Sequence, residues 1–377
     1  MKFSCEKALL QSAISFSSHA VAVKSSIPAL EGLLVEARES EIRITGYDLK
    51  TGIRTVIPAS VQETGVMVLS TRLFGEIVRR MPDDMVTIST NRFTVNLQCG
   101  MSDFNIQGID PGEYPELPAV EYMNTFRIKQ SDLKDMIDRT SFAISQSDAR
   151  PVHTGALFEI DQAEDNRLTM VAVDGYRLAL RREEVSKITG AEHFLFVVPG
   201  AALREVQRMC ADGEQDMEVV QGERHVMFKN GDVTLITRRL EGEFLNYKKA
   251  VPSTASIRVT ADTRQLTESI ERCSLLISEQ QKAPLRCTFE EGFVDIKTAT
   301  PLGTASDRCP IVGSGGGLEI GFNNKYMLDA LKAVPTSSVY LSMNTAVSPC
   351  VITGGGEGEM PLDAFTYMVL PVRLKAN

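Results

Sequence analysis

An α+β chain of three repeated domains, each with two helices on antiparallel sheets, is predicted by three observations. Three segments open alike: Phe3-Ser4-Cys5 leads into Leu9-Leu10, Phe126-Arg127-Ile128 into Leu133, and Ile257-Arg258-Val259 into Leu266, each a short β-like run feeding an amphipathic helix. Downstream, Ile44-Thr45-Gly46-Tyr47-Asp48-Leu49 is answered by Val173-Asp174-Gly175-Tyr176-Arg177-Leu178, and more faintly by Lys297-Thr298-Ala299-Thr300-Pro301-Leu302. The spacing is about one third of the 377 residues, the size of a domain and not of a solenoid unit.

Each third divides again into halves of one strand, one helix and about three further strands. Helices are expected near 7–17, 71–81, 131–144, 199–211, 263–277 and 323–333, each after a β-rich run such as Val66-Met67-Val68-Leu69 or Phe194-Leu195-Phe196-Val197-Val198. The helix at 71–81 sets Leu73, Phe74, Ile77, Val78 and Met81 on one face, the spacing of a helix packed on a sheet. Arg92–Leu97 and Asp232–Thr237 alternate apolar and polar residues, as half-buried strands do, and Asn230-Gly231 between two such runs signals a hairpin. Helices then cover one side of mainly antiparallel sheets. Boundaries are expected near Pro118-Ala119-Val120 and Pro252-Ser253-Thr254, giving domains 1–122, 123–253 and 254–377.

Composition bounds the function. A net charge of −9, with pI about 5.2, argues against a generally sticky nucleic-acid or membrane binder, although a local patch is enough for a charged partner. Seven cysteines (Cys5, Cys99, Cys210, Cys273, Cys287, Cys309, Cys350) stand singly and read as reduced, buried residues of a cytoplasmic protein. Met1-Lys2-Phe3-Ser4 lacks the apolar core of a signal peptide, and no apolar run approaches the ~18 residues of a membrane span.

The search for catalytic motifs is mostly negative. His19, His153, His193 and His225 stand in unlike contexts without HExxH or carboxylates at metal-ligand spacing, so no metal or cofactor is expected. Gly313-Ser314-Gly315-Gly316-Gly317 and Gly354-Gly355-Gly356 open no helix with a Lys-Ser or Lys-Thr pair and read as mobile turns. Asp174-Gly175-Tyr176-Arg177-Leu178 reads chiefly as a turn continuing into a strand, with an exposed Arg177 as a candidate lip of a binding groove. The helices carry Arg72, Arg79, Arg80, Lys134, Arg139, Arg204, Arg208, Arg272, Lys325 and Lys332 outside their apolar stripes. Either these cations share one charged surface, or they are the solvated face that helices ordinarily carry, since Glu76, Asp135, Asp138, Glu205, Glu268, Glu271 and Asp329 are interspersed.

Met1-Lys2-Phe3, Ile27-Pro28-Ala29-Leu30-Glu31-Gly32-Leu33-Leu34, Asp174-Gly175-Tyr176-Arg177-Leu178, the segment 244–252 and the ending Tyr367-Met368-Val369-Leu370-Pro371-Val372-Arg373-Leu374 resemble the bacterial DNA polymerase III β subunit family, the sliding clamps. The likeness runs in order along essentially the whole chain. It implies three domains of the DNA-clamp type forming half of a closed ring, a homodimer joined head to tail around double-stranded DNA. The sequence gives a physical reason for closure: the first and last domains would each keep an unpaired sheet edge that a second copy satisfies. Matched by position, Phe104 and Ile106 fall at the first-domain edge, and Leu276 and Ile277 on the third-domain side that meets it.

The resemblance implies tethering and no catalysis. The helix cations, with Lys24 and Arg150, would face phosphates through sequence-independent, salt-sensitive contacts. Pro151 and Val152 replace aromatic residues of some relatives, and Gly200-Ala201 a basic pair. A groove between the middle and last domains is implied to receive short peptides of the DNA polymerase III α subunit, the clamp loader and other proteins with clamp-binding motifs. Its matching positions are His153, Val173, Gly175, Tyr176, Arg177, Leu178, Leu245, Lys249, Pro349, Met368, Val369, Leu370, Pro371, Val372 and Arg373, an apolar trough with a cationic rim. His153 stands where an aliphatic residue is common, Leu245 for a proline, Lys249 for an arginine and Pro349 for a serine, which shifts the preferred peptide; Lys375-Ala376-Asn377 run past the usual end. The alternatives are a clamp-like scaffold that does not encircle DNA, or an interdomain-cleft enzyme using Asp174 and Arg177, for which no nucleophile, base or cofactor motif is present.

Overall fold

The computed structural model describes residues 1–163, 166–211, 213, 215–278, 280–355 and 363–374. Gly356 of the second glycine run and the terminal Lys375-Ala376-Asn377 lie outside them. The described residues carry seven α-helices: α1 (Lys7–Ser18), α2 (Thr71–Arg80), α3 (Gln130–Thr140), α4 (Gly200–Met209), the one-turn α5 (Tyr247–Ala250), α6 (Thr263–Ser274) and α7 (Asn324–Ala333). Six of these fall where the apolar periodicity puts them. The chain divides into two compact units, residues 1–131, 186–191 and 201–239 in one and residues 132–185, 192–200 and 240–377 in the other.

The first unit holds two antiparallel sheets. One has five strands and ends on Ser102–Gln107; the other has nine and continues from the first sequence repeat into the second through Val233–Arg238, whose residues pair with Thr51–Pro58 in the register Val233↔Thr55 to Thr237↔Thr51. Leu10, Ala13 and Ile14 of α1 and Phe74, Ile77 and Val78 of α2 share one core with both sheets. Leu73, expected on the packed face of α2, is 44% exposed, so the buried stripe is narrower than the periodicity suggests. The Asn230-Gly231 hairpin is present, Gly231 taking φ +54° between strands His225–Asn230 and Val233–Arg238.

The second unit is built on a ten-stranded antiparallel sheet in which Arg177–Glu184 pairs with Phe365–Val369, Arg177 opposite Val369 and Leu178 opposite Met368. Two sheets run unbroken from one repeat into the next, and this is why the three repeats pack into two compact units. The far edge of the ten-stranded sheet is a long hairpin, Leu285–Thr300 with Gly303–Phe322. The first glycine run lies inside the second of these strands and is not a turn: a Cβ on Gly315 would sit 2.1 Å from Phe289 Cβ, so the glycines let two backbones approach where the register shifts. Likewise Gly354 closes strand Cys350–Gly354. All seven cysteines are buried and none is in a disulfide, as expected, and burial pushes the Cys5 and Cys350 thiols up to about 12.

The two repeat motifs align differently from their sequence likeness. Asp48 Oδ1 accepts from Lys50 N (2.9 Å) and Thr51 N (2.7 Å), and Asp174 Oδ1 accepts from Tyr176 N (2.9 Å) and Arg177 N (3.0 Å). Asp48 therefore answers Asp174, each holding the turn between two paired strands, whereas the sequence match sets Asp48 against Arg177. Gly46 is a strand residue, and a Cβ there would lie 2.0 Å from the Ser17 carbonyl oxygen of α1.

Candidate functional site

The groove residues all fall in the second unit. The Asp174 turn places Gly175 at φ +90°, a conformation that glycine tolerates, and lifts Tyr176 to 62% exposure. The Tyr176 carbonyl accepts from Leu370 N at 2.9 Å, which ties the turn to the C-terminal segment. Val173, Leu178 and Met368 join Val351 and Tyr247 in one apolar cluster, with Phe244 partly buried against it. Asn246 caps α5 by accepting from Lys249 N at 3.2 Å, and so positions Leu245 (38% exposed) and the exposed Lys249 beside the buried Tyr247. Leu370 and Pro371 are half-buried, while Val372 and Arg373 are exposed. The result is an apolar floor with an aromatic and cationic surface, suited to short peptides with aliphatic or aromatic anchors.

Three expectations change. Arg177 is buried and forms no lip: Nε donates to Asp174 Oδ2 at 2.9 Å, Nη1 donates to Asp329 Oδ2 at 2.6 Å, and the guanidinium lies 4.5 Å from the Tyr326 ring. Val369 is fully buried, because strand neighbours face opposite sides and Met368 is the one that joins the groove cluster. His153 is buried too, edge-on to Phe244 with ring centroids 5.5 Å apart, and burial followed by the nearby Arg150 charge lowers its pKa. Pro349 lines a cavity of about 200 Å³ together with Val251 and Val351 of that cluster and with Arg258 and Asn344.

Tyr326 and Glu159 carry no signal in the sequence. Tyr326 stacks on Tyr176 at 6.0 Å and also packs against the Arg177 guanidinium; it sits on α7, and no local motif marks it. Buried Glu159 accepts from the Tyr247 hydroxyl and pairs with His193 Nε2 at 2.9 Å and Lys248 Nζ at 3.4 Å. Burial pushes its carboxyl upward, but the hydrogen bonds from Tyr247 and His193 and the Lys248 charge outweigh that and hold its pKa below the usual range.

The helix cations separate into two groups. Arg79 and Arg80 pair with Glu76 (2.7 and 3.2 Å), Arg208 with Glu205 (2.7 Å), Arg272 with Asp307 (2.5 Å) and Lys332 with Glu271 (2.7 Å). Arg139 is only part-exposed, bound to Asp135 and donating to the Ala333 carbonyl at 2.7 Å, a tie between α3 and α7. Lys134 is half-buried on α3. Lys24, Arg72, Arg150, Arg204 and Lys325 are exposed and make no ion pair among the described residues.

At the sheet edges, Phe104 is 41% exposed on Ser102–Gln107, while Ile106 on the same strand packs partly against the core. Helix α6 ends at Ser274, earlier than expected, so Leu276 and Ile277 lie half-buried in the following turn and Leu275 is the residue left 83% exposed. Among the described residues, no group of three or more His, Cys, Asp or Glu side chains is placed to hold a metal ion, and no helix is long and apolar enough to cross a membrane.

Three family descriptions match the chain in succession: the DNA polymerase III beta subunit N-terminal domain over residues 1–118, its central domain over 127–246 and its C-terminal domain over 248–373. The chain is 31% identical to the beta sliding clamp of Staphylococcus aureus over 384 residues, covering 99% of each. Its fold is similar to a putative DNA polymerase III beta subunit from Eubacterium rectale (TM-score 0.92, 31% identity, 99% of each chain) and to the DNA polymerase sliding clamp of Bacillus subtilis (TM-score 0.92, 28% identity, 100% of each chain). Agreement of all three successive domain matches with full-length relatives establishes that the chain belongs to the DNA polymerase III beta subunit family, the beta sliding clamps.

Proposed function

We propose that two copies of this chain close head to tail into a ring around duplex DNA and tether the replicative polymerase to it, with no catalytic residue, metal or nucleotide of their own. The observation that carries this reading is a pair of open sheet edges. Ser102–Gln107 pairs only with Thr94–Cys99, and Leu285–Thr300 only with Gly303–Phe322, among the described residues. Exposed edges of this length are templates for strand pairing, and a second copy quenches both. Phe104 and Leu275 supply exposed apolar surface for the joint, beside Ile106, Leu276 and Ile277. On this reading the domain boundaries fall at 122/123 and 253/254, in stretches without helix or strand.

The DNA contacts fall first to Lys24, Arg72, Arg150 and Arg204, which are exposed and make no ion pair among the described residues. The groove around Tyr176, Leu245, Leu370 and Val372 receives short motifs of the polymerase III α subunit, the clamp loader and other clamp-binding proteins in the bacterial cytoplasm. Two measurements test the proposal. Sedimentation is expected to give about twice the 41.4 kDa chain mass. Salt-resistant retention is expected on circular DNA and not on linear DNA with free ends; a monomer, or equal retention on both, favours a scaffold that does not encircle DNA.

A further inference from the structure

Beside the groove lies a cavity of about 520 Å³, within the size range of ligand pockets, whose wall includes Ile277, Lys282, Pro284, Asn323, Lys325 and Val372. We propose that it receives an acidic flank of the same peptides whose apolar anchors occupy the groove, so that Lys282 and Lys325 select among partners. This rests on the groove reading above and names a further chemical preference of that site.

Continuity between groove and cavity comes from two neighbours. Val372, 39% exposed, belongs to both, and its N–H donates to the Gly321 carbonyl at 2.8 Å, which fixes it beside the segment that leads into α7. At the start of α7, Asn323 accepts from Tyr326 N at 3.3 Å; Tyr326 then stacks on Tyr176 of the groove while Lys325, one residue earlier, lines the cavity. A peptide that leaves the groove past Val372 enters this space. Ile277, Pro284 and Val372 offer it apolar wall, and among the described residues the only charged side chains there are the two lysines.

Both lysines are exposed and make no ion pair among the described residues, unlike Lys332 further along α7, which is neutralised by Glu271 at 2.7 Å. In a chain of net charge −9, two unneutralised cations on one apolar cavity favour carboxylates and disfavour basic flanks. Lys325 is thereby assigned to peptide recognition and not to DNA.

The test uses fluorescence anisotropy with the full chain and four peptides sharing one core of aliphatic and aromatic anchors, extended at either end by three Asp or three Ser. One Asp-extended peptide is expected to bind about three- to tenfold tighter than its Ser counterpart at low ionic strength. The advantage should vanish in about 0.5 M salt and in the Lys282→Ala/Lys325→Ala variant, whose affinity for the Ser peptides stays unchanged. Equal binding of Asp and Ser peptides at both ends, or an advantage that survives in the variant, overturns the inference while leaving the groove in place. Failure of all four peptides to bind removes the groove reading and this inference with it.

Discussion

Arg177 donates from Nη1 to Asp329 Oδ2 at 2.6 Å, and this bond fastens the strand beginning at Arg177 to α7, 152 residues away. Its Nε is held by Asp174, and its plane rests on Tyr326 at 4.5 Å and Phe142 at 5.3 Å, so the guanidinium is fully engaged within the fold. Removing it leaves two acids, Asp174 and Asp329, without their counter-charge beneath the groove. Arg177→Ala is expected to cost about 3 kcal/mol of stability, because breaking one side of a buried ion pair strands the other. Chemical denaturation reads this directly; a drop in peptide affinity at unchanged stability would instead give Arg177 the exposed role that the sequence suggests.

Gly46 is a packing position, fixed by α1. The Ser17 hydroxyl donates to the Ile44 carbonyl at 2.9 Å, which presses the helix against the strand so closely that a methyl group on Gly46 meets the Ser17 carbonyl oxygen. Gly46→Ala is expected to destabilise by about 2–3 kcal/mol, the upper part of the range for overpacking a tight core. The contrasting position is Gly100, at φ +55° with nothing near its Cβ, where alanine costs only backbone strain of about 1 kcal/mol. Equal thermal shifts for the two variants would show that helix-to-strand proximity is not what selects glycine at 46.

Local pattern brings most of the elements into view, and long-range pairing explains what it misses. Six helices follow from apolar spacing alone, because each needs only its own residues to define a buried face. Continuation of the sheets through Val233↔Thr55 and Arg177↔Val369 depends on partners about 180–190 residues apart, a relation that no local window contains. Arg177 looks exposed in the sequence because Asp-Gly turns usually are; its burial comes from Tyr326 and Asp329, which nothing near 177 signals. The glycine run at 313–317 reads as a turn for a similar reason, since only Phe289 on the facing strand explains why side chains are excluded there. The groove positions themselves come from family likeness; of these, Tyr176, Leu245 and Val372 are exposed and Leu370 is half-buried, while Val369, Arg177 and His153 are buried.

Acidification should loosen the support under the groove in two stages. The folded chain holds His153 with its pKa below the ordinary 6.5, so between 6.5 and the folded value the unfolded chain binds more protons and stability falls as pH drops. Glu159, held below its ordinary 4.5, contributes stability that is present above that value and is lost as pH falls through the folded one. Thermal midpoints are therefore expected to be flat near neutrality, to decline below 6.5 and to decline again below 4.5. His153→Leu should flatten the upper step, leaving the part due to His225, which burial also shifts down. An unchanged upper slope in the variant would assign that step to other groups.

The division of the cations into neutralised and unneutralised sets predicts which of them hold DNA. Arg72 and Arg204 are exposed and make no ion pair among the described residues, whereas Arg79 is spent on Glu76 and Arg208 on Glu205, both at 2.7 Å. A phosphate can recruit Arg79 or Arg208 only by displacing a carboxylate that is already in place, so each offers less net attraction. Affinity for a short linear duplex, from which no topological link prevents escape, should accordingly suffer more from Arg72→Ala/Arg204→Ala than from Arg79→Ala/Arg208→Ala when followed against salt. The slope of log affinity against log salt should shrink by ~0.9 for each phosphate that the first variant no longer neutralises. Removing Arg208 also turns the Glu205 charge toward repelling the backbone, whereas Glu76 keeps Arg80 at 3.2 Å; the added repulsion works against the predicted order and makes the comparison stringent. If the second variant nonetheless loses as much slope as the first, the ion pairs open on DNA and pairing within the chain does not determine which helix cations hold phosphate.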